Sequence, residues 1–162
     1  MAVPSREYRY QVDRDGRIFH DGTEVIDPHV LAFFVRAMRR TPEGRYLVLC
    51  QGEQNWFEAV DTPFVVQRVR PRRDGHRVVS LEIDLVGGYR ETLDPESLEA
   101  RGEHLYCRVR RGEFAARFGR AAIQQLAPFV ADGGDGGLEL RLGAARYSIR
   151  RAPSETPPIA GD

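Results

Sequence analysis

A chain of 162 residues, 41% hydrophobic and 30% charged, suits one domain or two small halves around one core, and it can bury roughly two-thirds of its unfolded surface. Its 24 basic residues, all Arg, balance 24 acidic ones, which removes any overall pull toward nucleic acid or anionic membrane. The two cysteines do not form a disulfide framework, no stretch approaches the ~20 apolar residues of a membrane span, and Met1 to Glu7 lacks a basic or apolar leader, so a cytoplasmic, non-membrane protein is expected.

Tyr8 to Val12, Arg17 to His20 and Thr23 to Ile26 read as a three-strand meander, because the intervening Asp-Gly pairs supply the positive φ of tight hairpins. A helix follows, with Asp27 as its cap, Pro28 in its first position, and Val30, Leu31, Phe34, Val35 and Met38 on one face. Arg39 and Arg40 suit the negative end of its dipole. Tyr46 to Cys50 reads as a strand covered on both faces, Gly52 to Asn55 as a turn, and Trp56 to Val60 and Phe64 to Val69 as further strands. The alternation Val79, Leu81, Ile83, Leu85 marks a half-buried strand, which Gly87-Gly88 folds back onto Tyr89 to Leu93. Asp94 to Glu103 reads as a polar connector.

Leu105 to Arg110 and Phe114 to Phe118 form the next hairpin. A second helix runs from Arg120 to about Ala131, with Ile123, Leu126 and Val130 inward and Pro128 as a kink or early stop. Asp132 to Gly137 is a flexible loop, and Leu138 to Leu142 and Tyr147 to Arg150 are strands. From Ala152 the composition leaves nothing to bury.

Ile26 to about Val60 is echoed 92 positions later, between Phe118 and Arg150: Leu31, Phe34 and Met38 fall opposite Ile123, Leu126 and Val130, and Tyr46, Val48 and Cys50 opposite Leu138, Leu140 and Leu142. The expected fold is therefore α+β: two similar strand-helix-strand repeats packed around a shared core, with mostly antiparallel sheets and two main helices. The first repeat spans 7–70, central strands and a connector 71–103, the second repeat 104–151 and a disordered tail 152–162.

The run Asp15-Gly16-Arg17-Ile18-Phe19-His20-Asp21-Gly22, the capped helix, Gly44 to Val48, Val60 to Phe64 and, in the second half, Val109 to Arg120 resemble a bacterial family of unknown function whose members are built from two structural repeats. The resemblance spans about Tyr8 to Ile149 and implies the two-repeat α+β architecture and a role in signalling. Where that family usually runs Thr-Pro-Val-Glu, this chain has Cys50-Gln51-Gly52-Glu53, and its closing strand is the plainer Ala145 to Ile149.

Chemical motifs are scarce. Without lysine there is no phosphate-binding P-loop, and Gly133 to Gly137 precedes a strand where a dinucleotide loop opens a helix. His20, His29, His76 and His104 never pair at ligand spacing, nor do Cys50 and Cys107, and no Ser sits in a nucleophile elbow, so neither metal nor cofactor is expected. Glu53, Trp56, Asp61 and Phe64 form the candidate ligand-binding group, because a lone Trp beside a turn and two acids seldom hides fully. Arg70, Arg72 and Arg73, with Arg68, Arg77 and His76, form a candidate anion site on a hairpin. The leading reading is a non-catalytic ligand-binding or regulatory module, its partner a small molecule or protein. The alternative is a small-substrate enzyme using Glu53, Asp61 and His20 as acid and base; a nucleic-acid partner is disfavoured by the zero net charge.

Overall fold

The computed structural model describes residues 6–153. Its mixed α+β fold opens with β1 (Glu7–Val12), β2 (Ile18–His20) and β3 (Thr23–Glu24), followed by α1 (Pro28–Ala37). The Asp27 carboxylate accepts the His29 amide, so the cap and the proline at the helix start act as their residue types require. Arg39 and Arg40 do not end the helix. The chain leaves α1 at Met38, and the two arginines form β4 (Arg39–Arg40), pairing with β5 (Tyr46–Cys50). The turn is confined to Gln51 and Gly52, both at positive φ, so the strand after it starts early, as β6 (Glu53–Ala59). Leu49 stands 43% exposed, because only one face of this sheet carries a helix.

β7 (Phe64–Val66) leads into the hairpin of β8 (Arg68–Asp74) and β9 (Arg77–Asp84), then β10 (Arg90–Thr92). The region expected to be a polar connector holds a 3-10 turn at Pro95–Ser97 and β11 (Glu99–Arg101). After it come β12 (His104–Val109), β13 (Phe114–Phe118) and α2 (Arg120–Leu126), which Pro128 tightens into a 3-10 turn ending at Phe129. The last strands are β14 (Val130–Asp132), β15 (Leu138–Leu142), β16 (Ala145–Ser148) and β17 (Arg150–Ala152). Ala152 therefore belongs to a strand, opposite Arg101, and the rest of the expected tail, from Ser154, lies outside the described residues.

The sheets run β3-β2-β1-β6-β5-β4, β10-β9-β8, β17-β11-β12-β13-β7 and β14-β15-β16. β1 and β6 pair in parallel, as do β11 and β17, and β13 and β7. The registers of β4–β5–β6 and β14–β15–β16 coincide at the offset of 92, whereas those of the parallel pairs do not, Glu7 facing Gln54 and Glu99 facing Arg150. Arg39 faces Leu47 and Ala131 faces Glu139; Cys50 faces Glu53 and Leu142 faces Ala145, each second pair being the first with 92 added to both numbers. Where β6 bridges two neighbours as one strand, the later segment breaks at Ile149 into β16 and β17.

One contiguous core joins the sheets, from Val12, Val35 and Val48 through Leu81, Ile83 and Leu98 to Phe114, Phe118 and Leu140. α1 lies against the 3-10 turn Val86–Gly88, and α2 against β8, where Gln125 accepts the Val69 amide at 2.7 Å. Gly87 makes the first contact possible: at φ +73° it lies so close to α1 that a β-carbon would come within 2.8 Å of Leu31 Cβ.

Candidate functional site

Beneath α2, between it and the strands of the second half, lies a pocket of about 380 Å³. Its apolar wall includes Ile123, Leu126, Val130, Leu138 and Ile149. The residues 92 positions earlier are Leu31, Phe34, Met38, Tyr46 and Phe57, and they account for the difference between the halves. Under α1 the Phe34 ring meets Phe57 edge-on at 5.0 Å, Phe57 stacks on Tyr10 at 4.9 Å, and Tyr10 meets Phe34 at 5.2 Å. This trio fills the space between helix and sheet. In the second half three aromatic rings become Leu or Ile and a methionine becomes Val, while the β14–β15–β16 register is kept and the strand breaks at Ile149. Shorter side chains leave a gap there, and Ile123 and Leu138 stand 37% and 39% exposed at it.

The mouth is polar. The β11–β12 turn contributes Glu103, the start of β12 contributes His104, and β17 contributes Arg151. Glu103, His104 and Ile123 also line a wider chamber of about 810 Å³, with Asp15, Arg117 and Arg120 among its other walls. Among the described residues, the side chains of Glu103, His104, Arg120 and Arg151 have no hydrogen bond or ion pair. Arg117 is largely buried: one terminal nitrogen donates to the Arg14 carbonyl at 2.8 Å, the other lies 3.9 Å from Asp61, and its Nε is buried with no acceptor. An apolar cleft with a few convergent charges is the usual form of a small-molecule site.

Glu53 and His20 come together around Tyr8, whose hydroxyl lies 3.5 Å from the Glu53 carboxylate and whose ring meets the imidazole at 5.9 Å. His20 also packs on Tyr10, whose own hydroxyl pKa is raised by burial first and then by Tyr8, Glu53 and Cys50. Asp61 lies elsewhere. It accepts the Tyr106 hydroxyl at 2.7 Å, pushing that group up to about 12 in support of its partial burial, the larger cause. The acid-base trio of Glu53, Asp61 and His20 is thus divided between two clusters.

Trp56 alternates with Phe57, so its ring lies on the sheet face opposite α1, with the Arg45 guanidinium 3.9 Å above it. Phe64 is 2% exposed and fills the core beside Phe114. Of the arginines on the β8–β9 hairpin, Arg70 is bound to Asp84 at 3.0 Å, while Arg72 and Arg73 flank a bulge and are exposed. Cys107 is buried, which pushes its thiol well up and makes it a small hydrophobe; Cys50 is half-buried. No group of three His, Cys, Asp or Glu among the described residues could hold a metal ion, and no helix there is long and apolar enough to cross a membrane.

No protein-family model matches the chain, and no curated protein matches it. Two crystal structures of bacterial proteins described as DUF1285 family members are similar in fold. One, from Silicibacter pomeroyi, superposes with a TM-score of 0.69 at 20% identity, covering 92% of this chain and 84% of its own. The other, from Shewanella baltica, gives 0.59 at 16% identity, covering 74% and 90%. At these identities the likeness concerns the fold.

Proposed function

We propose that this protein is a non-catalytic ligand-binding module made of two structural repeats, in which the second repeat holds a small apolar-bodied molecule under α2 and the first is the filled scaffold. Occupancy of the pocket would alter the mouth formed by the β11–β12 turn and β17, which suits a regulatory or signalling role. The observation that carries the reading is the pocket wall itself, where positions that are aromatic or long in the first half are shortened in the second while strand register is retained. The scarcity of convergent acid-base groups supports binding over catalysis.

Native mass spectrometry of the purified full chain tests it. The wild type should carry a co-purified small molecule, and the double variant Leu126→Phe, Ile149→Phe, which restores the first half's residues, should fold and lose it. Retention of the molecule by the refilled, folded variant would overturn the assignment.

A further inference from the structure

Resting on that reading of the pocket, we infer that its ligand is a long-chain carboxylate, with the hydrocarbon under α2 and the acid group at the mouth. Apolar side chains line most of the interior, and a cavity of about 150 Å³ takes one benzene. A volume of about 380 Å³ therefore accommodates a chain of about ten to fourteen carbons. A fully apolar ligand would leave the charged mouth with nothing to meet.

The charge of the head group follows from the balance at that mouth. Arg151 lines the apolar pocket, and Arg117 and Arg120 line the chamber that joins it through His104. Against three guanidiniums stand two carboxylates, Glu103 and Asp15, and Asp15 already lies 3.6 Å from Arg17. Arg120 and Arg151 have no partner among the described residues, and the Arg117 Nε lacks an acceptor. A planar carboxylate gives such guanidiniums two acceptor oxygens, which an ammonium or a neutral hydroxyl cannot.

Calorimetric titration with straight-chain carboxylates from hexanoate to tetradecanoate, below their micelle concentrations, alongside decanol and decylammonium, tests the inference. Affinity should rise about fourfold per methylene and level off at about ten to fourteen carbons. Decanoate should bind at least tenfold tighter than decanol or decylammonium. Arg151→Gln should remove most of that advantage and leave decanol binding unchanged. Equal binding of decanoate and decanol, or tighter binding of decylammonium, would overturn the carboxylate while leaving the pocket assignment standing, provided Leu126→Phe, Ile149→Phe abolishes decanol binding. Failure of every probe, with the co-purified molecule still lost from the refilled variant, would also defeat this inference alone.

Discussion

α1 and α2 each precede a strand set with matching register, β4–β5–β6 and β14–β15–β16, yet the space beneath the two helices differs. Under α1, three rings in mutual contact close the space between helix and sheet, and Leu31, Phe34 and Met38 are buried. Under α2, Leu126 and Ile149 stand where Phe34 and Phe57 stand in the first half, and a pocket with a charged rim remains. Backbone pairing fixes where a helix sits over a sheet, while side-chain length decides whether the space beneath it is core or cavity.

The largest effect should come from opening the filled half. Phe34→Ala removes a ring that packs on two others and should cost about 3 to 5 kcal/mol by denaturant unfolding, whereas Leu126→Ala, which widens an existing pocket, should fall at the low end of about 2 to 5 kcal/mol. Equal costs would mean that the two helices are packed alike. Next is the clamp on α1, for which α2 has no glycine counterpart. Gly87→Ala drives a β-carbon into Leu31 and should cost about 2 to 4 kcal/mol, while Gly88→Ala meets open space and should cost only about 1 kcal/mol for its positive φ. A Gly87→Ala melting temperature matching that of Gly88→Ala would show that the close approach is not needed.

Reciprocal exchange should sharpen the contrast with smaller effects. Leu126→Phe and Ile149→Phe enter vacant space and should each change stability by less than about 1 kcal/mol, since overpacking penalties arise only where no room exists. The reverse changes, Phe34→Leu and Phe57→Ile, should each cost about 1 to 2 kcal/mol, because they leave a gap in a closed core. A loss of 3 kcal/mol or more from Leu126→Phe would mean that the pocket cannot admit a ring.

Both helices, the Asp27 cap and most strands were legible in the sequence, because hydrophobic period and Asp-Gly turns are local signals. Arg39-Arg40 and Glu99–Arg101 were not: strands of two or three residues carry no period, and their identity comes from the neighbour they pair with. Trp56, Asp61 and Phe64 were grouped by nearness along the chain, yet a strand alternates its faces, and the three go to the outer face, a tyrosine and the core. The signal for the pocket was present all along in the echo. Comparing the two echoing segments for side-chain size, and not only for apolar character, singles out Leu126, Val130, Leu138 and Ile149 as the shorter positions. His104 and Arg151 had no such signal, since a turn and a closing strand bring them to one mouth from 47 positions apart.

The smallest predicted effect concerns the contact through which the loop leaving the first half meets the second. Tyr106 on β12 donates its hydroxyl to Asp61, and partial burial, that hydrogen bond and the Asp61 charge together raise its pKa from 10 to about 12. Because the folded value exceeds the unfolded one, the neutral hydroxyl's stabilisation is fully present below pH 10 and is lost as pH climbs through about 12. Melting temperature measured from pH 9 to pH 12 should therefore fall more steeply for the wild type than for Tyr106→Phe, which has no proton to lose. Asp61→Asn should lie between them, since it removes the charge but leaves the burial. Tyr10 and Tyr89, also raised by burial, are common to all three proteins and cancel in the comparison. Parallel curves for wild type and Tyr106→Phe would show that the Tyr106–Asp61 bond does not tie the halves together, and a steeper fall for Asp61→Asn than for wild type would give the carboxylate the opposite role.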